Sequence, residues 1–334
     1  MGIFTYFKQG LSVEIGSYHT RFMKNGVMQL DEISQVEYCD SEDKKIRHYF
    51  ASGIETQGNI CRWNDTYHLL RPVNGLLVDY EAVVFMLREF KKRLPAAVPR
   101  RLLIAVPSFA TGVDSRAYKE TIEMTFGGVF RKQYAVSAPI AAVAGLGYDV
   151  FDDSVTHCII DVGREMSSFS LVCGGKTLAV EKNGEAGQAF DDKIMEYFKT
   201  NGLLIGPRTA ENAKKLLSRG ENEYEVRGRN VETGIPECRT FERKEAEHLF
   251  DSSYNKLVEC FNCCLKENPT PEKPIKYHLI GGASQTIGLK AYLEKATQYS
   301  FCMPEEPDKV IIKGLDKLNA KENIKRLSEF GSLV

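Results

Sequence analysis

Apolar and polar positions alternate with two different periods along this chain, and the changes of period mark out its elements. Leu11 to Ile15, Arg21 to Met23 and Val27 to Leu30 are short strand-like runs, and Asn25-Gly26 between the last two is a strong hairpin signal. Val83, Val84, Leu87 and Phe90 recur at helical spacing and predict a helix over Tyr80 to Arg93. Arg101 to Val106 reads as a buried strand stopped by Pro107, followed by a helix to Phe126 with Asp114 as its predicted N-cap. Ala135-Val136 continues as strand toward Pro139, which opens a small-residue helix through Gly145. Strand, helix, strand, helix in this order predicts an α/β chain with a mixed or parallel sheet.

The scheme then runs again. Cys158 to Val162 begins a second strand set, with a hairpin over Phe169 to Val180, helices over Ala189 to Thr200 and Ala210 to Ser218, and a polar β region over Glu223 to Phe241. A helix over Ser253 to Lys266 and a strand over Tyr277 to Ile280 follow. That strand runs into Gly281-Gly282-Ala283-Ser284 directly before a predicted helix, an arrangement that seats a phosphate or the face of a nucleoside. Residues 34 to 74 are polar and rich in short strands, and read as a small inserted subdomain.

One pattern is written twice. Glu14-Ile15-Gly16-Ser17-Tyr18-His19-Thr20 and Asp161-Val162-Gly163-Arg164-Glu165-Met166-Ser167 each carry a carboxylate, a glycine two residues on and a hydroxyl six residues on. A carboxylate can hold hydrated magnesium, a glycine lets backbone N–H groups approach phosphate oxygens, and a hydroxyl can complete the cradle. Two such hairpins would clamp a nucleoside triphosphate. In the second copy Arg164, Glu165 and Met166 fill a turn that would suit glycine, the residue that takes left-handed dihedrals freely.

Length and composition narrow the classes. With 334 residues the chain suggests two domains, and 43% hydrophobic with 27% charged residues is ordinary for a globular protein. A net charge of −1 gives no basic face for nucleic acid. Nine irregularly placed cysteines argue against a secreted disulfide framework and for a reducing compartment. Cys260, Cys263 and Cys264 share a helix face but have no fourth ligand nearby, so they read as buried thiols rather than a zinc site. No apolar run is long enough to span a bilayer. Met1, Ile3, Phe4, Tyr6 and Phe7 before Lys8 would form either an interfacial membrane anchor or a segment packed on the domain. Tyr6 makes Gly2 a poor myristoylation site.

Ordered motifs then carry a resemblance over roughly Ser12 to Leu327. Phe190-Asp191-Asp192, Leu203-Leu204-Ile205-Gly206, Thr209-Ala210-Glu211, Glu225-Val226-Arg227-Gly228-Arg229-Asn230 and Gly234-Ile235-Pro236, with Arg71-Pro72 and Ala105-Val106-Pro107 upstream, resemble the MreB family of bacterial actin homologues. The resemblance implies an actin-like ATPase fold: two duplicated domains, each with a mixed five-stranded sheet, helices and a smaller inserted subdomain, and ATP with magnesium in the cleft between them. It implies domain I over residues 9–150 with an insert near 34–74, and domain II over 151–309 with an insert near 183–245. Residues 310–334 would return to domain I, and 1–8 would touch the membrane through Ile3, Phe4 and Phe7. Proteins of this family assemble with themselves into paired protofilaments, lie in the cytoplasm under the inner membrane, and direct wall synthesis and cell shape with membrane partners.

Carried over by motif, Gly16, Ser17, Tyr18 and His19 would line the first phosphate loop, and Asp161, Gly163, Arg164 and Ser167 the second. Glu14 and Asp161 would hold magnesium through water. Glu211 and Lys214 would reach the ribose and base, against the plainer reading of an exposed i,i+3 pair. Gly282, Ala283, Ser284 and Gln285 would border the adenine. The loop Arg93 to Pro99, tipped by Leu94 and Val98, is either a second membrane contact or an ordinary connector.

Three departures bear on activity. Glu14 is one methylene longer than the family's aspartate, and Gly163-Arg164-Glu165 replaces a run of glycines. Ala138, in Ser137-Ala138-Pro139, stands where the family has the glutamate that orients the attacking water. Losing a general base costs about 100- to 10,000-fold in rate, so hydrolysis is expected to be very slow or absent. Arg164 would either pair with a phosphate or pair with Glu165 and fill the site. Besides a filament protein, a small-molecule kinase on the same fold and a non-polymerising adaptor are the competing classes.

Overall fold

Three short strands build the first sheet's meander, and the computed structural model describes the chain over residues 10–41, 46–57, 67–95, 101–127, 132–269 and 272–329. Ile3, Phe4, Phe7 and Val98 lie outside the described residues. Strand β1 (Leu11–Ile15) pairs antiparallel with β2 (His19–Lys24), and β2 pairs with β3 (Val27–Ile33). Asn25 and Gly26 both take positive φ at the β2–β3 turn, where the Asp316 carboxylate accepts both their N–H groups at 3.1 and 2.6 Å.

A small separate antiparallel sheet follows, with β4 (Val36–Asp40) between β5 (Arg47–Ser52) and β6 (Tyr67–Leu70), and a two-stranded ribbon of β7 (Val73–Asn74) and β8 (Leu76–Leu77). Helix α1 (Tyr80–Arg93) begins where the Asp79 side chain accepts the Ala82 N–H, and it buries Val83, Val84, Met86, Leu87 and Phe90. Leu94 is buried with that core, so it is not the exposed apolar tip expected of it.

Strand β9 (Arg101–Val106) leads to helix α2 (Gly112–Phe126), strand β10 (Lys132–Ser137) and helix α3 (Ala138–Gly145). The N-cap of α2 is Thr111, not Asp114: the threonine hydroxyl takes the Asp114 N–H while the Asp114 carboxylate takes the Thr111 N–H, a reciprocal capping box.

In the second half β11 (Thr156–Val162), β12 (Ser167–Cys173) and β13 (Lys176–Asn183) form another meander. Helix α4 (Gly187–Thr200), strand β14 (Leu203–Leu204), helix α5 (Pro207–Ser218), strands β15 (Glu223–Asn230) and β16 (Pro236–Glu242) and helix α6 (Arg243–Leu249) follow, with a separate sheet of order β14-β15-β16. Helix α7 (Asp251–Lys266) buries Tyr254, Leu257, Phe261 and Cys264. Of its three cysteines only Cys264 is buried; Cys260 is half-buried and Cys263 exposed. Strand β17 (Ile275–Ile280) ends at Gly281 (φ 90°), and a 3-10 turn, Gly282–Gln285, intervenes before helix α8 (Leu289–Thr297). The helix expected directly after the glycine pair therefore starts seven residues past Gly282. Helices α9 (Val310–Leu318) and α10 (Lys321–Glu329) close the chain.

The first sheet has the order β10-β9-β1-β2-β3, with β1, β9 and β10 parallel. The second has β17-β11-β12-β13, the same order with one strand fewer. A single parallel bridge, His278 with Cys302, stands beside β17 where the expected fifth strand would lie. Residues 303–307 include two prolines and a short turn follows, so no ladder extends there.

Two compact units result: Met1–His157 with Val172–Leu178 and Lys309–Val334, and Cys158–Leu171 with Ala179–Asp308. In the first, α9 crosses α3 at two glycines so closely that a Cβ on Gly314 would overlap the Ala141 carbonyl and one on Gly145 would overlap that of Val310. Lys317 donates to the Ala144 and Gly145 carbonyls at 3.1 Å, closing the C-terminus of α3. Buried Asn319 donates to Ser12 Oγ at 3.0 Å and accepts from Arg101 Nε at 3.0 Å. Among the described residues no helix is long and apolar enough to cross a membrane.

Candidate functional site

The repeated pattern folds into the same turn twice. Gly16 N–H donates to His19 O at 2.9 Å, and Gly163 N–H donates to Met166 O at 3.0 Å. A Cβ at either glycine would lie 3.0 or 2.9 Å from that carbonyl. Close approach, not a left-handed φ, is therefore why glycine stands there. Arg164, Glu165 and Met166 have negative φ, so the turn does not require the glycines expected at those positions. The hydroxyls six residues after each carboxylate are also not cradle groups. Thr20 Oγ1 bonds Ser34 Oγ at 2.9 Å and Ser167 Oγ donates to Glu185 O at 2.6 Å, both residues fully buried.

Around the first turn, Ser17 Oγ accepts the Gly75 N–H at 2.8 Å and Tyr18 O accepts the Ser34 N–H at 2.9 Å. The Tyr18 ring lies 4.8 Å from that of His19 and 5.5 Å from the Arg71 guanidinium. His19 Nδ1 sits 2.7 Å from Asp31, to which Arg21 Nε donates at 3.1 Å. Burial pushes the Asp31 carboxyl up, but the His19 hydrogen bond and the Arg21 charge outweigh it and hold it below its ordinary value. Glu14 is in register with Arg21 across the ladder, on the same sheet face as that buried guanidinium. A carboxylate so placed has a protein cation for company, which weakens its claim on magnesium.

The second turn is held by its own unit. Gly187 N–H donates to Gly163 O at 3.0 Å and Gln188 N–H to Arg164 O at 2.6 Å, so the first donors of α4 close on the loop. Arg164 Nε lies 3.3 Å from Glu165, its Nη1 3.5 Å from Glu211 and 4.0 Å from Asp191, and Nη2 donates to Gln188 Oε1 at 2.5 Å. Asp191, 1% exposed, takes Lys214 Nζ at 2.6 Å, and the same ammonium donates to Gly187 O at 2.6 Å. Burial pushes Asp191 up and Lys214 down, each opposed by the other's charge. Lys214 is thus no exposed partner of Glu211, which pairs with Lys215 at 2.6 Å instead. Asp191, Gln188, Arg21 and Asp31 lie outside the site residues that the sequence points to; Asp191 belongs to the Phe190-Asp191-Asp192 motif, but no sequence spacing joins it to Lys214.

Asp161 completes the set. Its carboxylate lies against Gly281, where any Cβ would overlap it, and burial alone raises its pKa to about 6. Of the 3-10 turn, Ser284 is buried with its hydroxyl donated to Gly281 O at 2.7 Å, while Gly282 and Gln285 are exposed and Ala283 faces Gly187. Loops 161–166, 184–188 and 281–285 therefore meet in one place. A desolvated carboxylate with no cation among the causes of its shift suits a divalent ion held through water. Among the described residues no group of three or more His, Cys, Asp or Glu could hold a metal by itself, so water and ligand oxygens would supply most of the coordination. Ala138, half-buried, opens α3 after Ser137, whose Oγ is 3.4 Å from Thr177 Oγ1. Its methyl can neither accept a proton nor orient water.

Two copies of one strand order, each with a carboxylate and a tight glycine turn at its first hairpin, define an actin-like fold. MreB5 of Spiroplasma citri bound to ADP superposes with a TM-score of 0.84 and 20% identity over 97% of this chain and 99% of its own. The same protein bound to AMPPNP gives 0.83. The MreB/Mbl protein family matches residues 8–328, and the chain belongs to that family. Among its relatives, the cell shape-determining protein Mbl of Bacillus subtilis is 26% identical over 90% of this chain and 92% of its own length. The cell shape-determining protein MreB of Escherichia coli K12 is 25% identical over 92% of each.

Proposed function

We propose that this chain is a cytoskeletal protein that binds ATP weakly, hydrolyses it very slowly or not at all, and assembles into filaments at the inner face of the cytoplasmic membrane to shape the cell. Family membership and the names of the Mbl and MreB relatives support the cell-shape role, and the ADP- and AMPPNP-bound MreB5 structures support nucleotide binding. Two observations carry the weak, non-hydrolysing part: alanine at position 138, and a second loop whose arginine is already engaged by Glu165, Glu211 and Gln188.

Asp161 would hold magnesium, whose bound charge would neutralise phosphate oxygens. Gly163, Arg164 and the Gly282–Gln285 turn would bind around the nucleotide in this unit, and Gly16 to His19 in the other. No side chain at position 138 can take the proton of an attacking water, so phosphate release should fall about 100- to 10,000-fold below that of a family member with glutamate there. Ala138→Glu should restore part of it. Steady release by the natural chain at an ordinary family rate, abolished by a substitution at Asp161, would refute this.

Sedimentation and electron microscopy with and without ATP test assembly: filaments support the proposal, and a persistent monomer at high concentration favours a non-polymerising adaptor. Co-flotation with anionic liposomes should be lost on deleting Met1 to Phe7; unchanged flotation would remove the membrane role of Ile3, Phe4 and Phe7.

A further inference from the structure

Backbone donors are the usual anion ligands of a glycine turn, and four of those in this loop cluster are already in use. Gly163 N–H goes to Met166 O, Gly187 N–H to Gly163 O, Gln188 N–H to Arg164 O and Gly281 N–H to Pro307 O. Lys214 is fixed by Asp191 and the Gly187 carbonyl. A full positive charge for an anion comes only from a side chain, and here from one that can leave its present partners at low cost.

Arg164 meets that condition because its partners keep other company. Glu211 retains Lys215 at 2.6 Å, Asp191 retains Lys214 at 2.6 Å, and Gln188 Nε2 retains Asp192 at 2.9 Å. The contact from Arg164 to Asp191, at 4.0 Å, is the loosest of that carboxylate's two. Glu165, with its side chain 17% exposed, is the partner that would lose its cation. Withdrawing the guanidinium therefore leaves Asp191 and Glu211 with their own cations, and avoids the cost of orphaning the most deeply buried carboxylate. Withdrawing Lys214 would orphan Asp191. One cation of the cluster is a rivet and the other is exchangeable.

We propose that Arg164 is the anion-binding group of the second hairpin: held on Glu165, Glu211 and Gln188 in the ligand-free chain, its planar fork transfers to the phosphate oxygens of a nucleoside di- or triphosphate. This deepens the nucleotide-binding reading and rests on it. The arginine adds a charged fork to the backbone donors of the turn, and Glu165 and Glu211 are the competitors that weaken binding.

Calorimetric titration of ADP with magnesium into the full chain and its Arg164→Ala, Arg164→Lys and Glu165→Gln variants tests it, with thermal melting to confirm that each is folded. Arg164→Ala should weaken binding about tenfold or more and flatten its salt dependence. Arg164→Lys should fall between, keeping the charge without the fork. Glu165→Gln should tighten binding several-fold, since it removes a competitor. A merely structural arginine would not give opposite signs for the two neighbours. If Arg164→Ala does not fold, the lysine variant and Glu165→Gln decide the matter. Equal or tighter binding by a folded Arg164→Ala overturns the proposal and makes the arginine a plug, leaving nucleotide binding intact. No heat from either the natural chain or Glu165→Gln at millimolar ADP overturns both this proposal and the nucleotide-binding reading beneath it.

Discussion

Glu185 shows how a single side chain sets a pH limit. Burial raises its carboxyl, but hydrogen bonds from Lys256 and Ser253, both at 2.5 Å, outweigh this and hold it below the ordinary value. A lowered native value means that its stabilising effect is fully present above the unfolded carboxylate range and is lost as pH falls through the native value. Denaturation midpoints should therefore drop on acidification from about pH 5 to 3, and Glu185→Gln should flatten that drop; identical profiles would count against it. Asp161 behaves in the opposite sense, since the native fold resists its ionisation. Asp161→Asn should raise the ligand-free melting temperature at neutral pH by about 2–4 °C and abolish the stabilisation given by magnesium-ADP. At this scale the sequence was only partly legible. Spacing identified the two matching turns at Gly16 and Gly163, but hydroxyls at Thr20 and Ser167 that fit a cradle on paper are satisfied internally, at Ser34 and at a carbonyl 18 residues away. Which of several partners a polar group takes is decided by tertiary packing, which periodicity does not encode.

Elements were legible to within a few residues wherever a stop signal accompanied the period. Helix α1 has the bounds that its apolar spacing and the basic cluster before Pro95 predict, and Asn25-Gly26 makes its turn. The misses fall where one local signal had two meanings: Asp114 is an N3 partner rather than a cap, and the glycines after β17 start a 3-10 turn before any α-helix. The missing fifth strand of the second sheet was hidden too, because a single rung leaves no alternation to read. The α3–α9 crossing gives the sharpest element-scale prediction. With no room for a methyl at Gly314 or Gly145, either glycine-to-alanine change should destabilise the chain by about 1–3 kcal/mol in urea denaturation. A change below about 0.5 kcal/mol, ordinary for a surface site, would mean that the helices separate freely.

For the molecule as a whole, the duplicated strand order was visible as a duplicated motif, and the two small separate sheets, β5-β4-β6 and β14-β15-β16, fall largely in stretches that read as short polar strands. The two-unit division was not readable from length alone, because neither unit is one continuous stretch of chain. Its first unit draws α9 and Asn319 from the far end of the sequence, where they meet α3, Ser12 and Arg101. Truncation after Asp308 should consequently expose the first sheet's core and yield aggregates, while native-like signals survive in the second unit. During synthesis, then, the half of the protein that leaves the ribosome first is completed last. More than 150 residues must wait for α9 to emerge, an interval during which a chaperone would find the first sheet open.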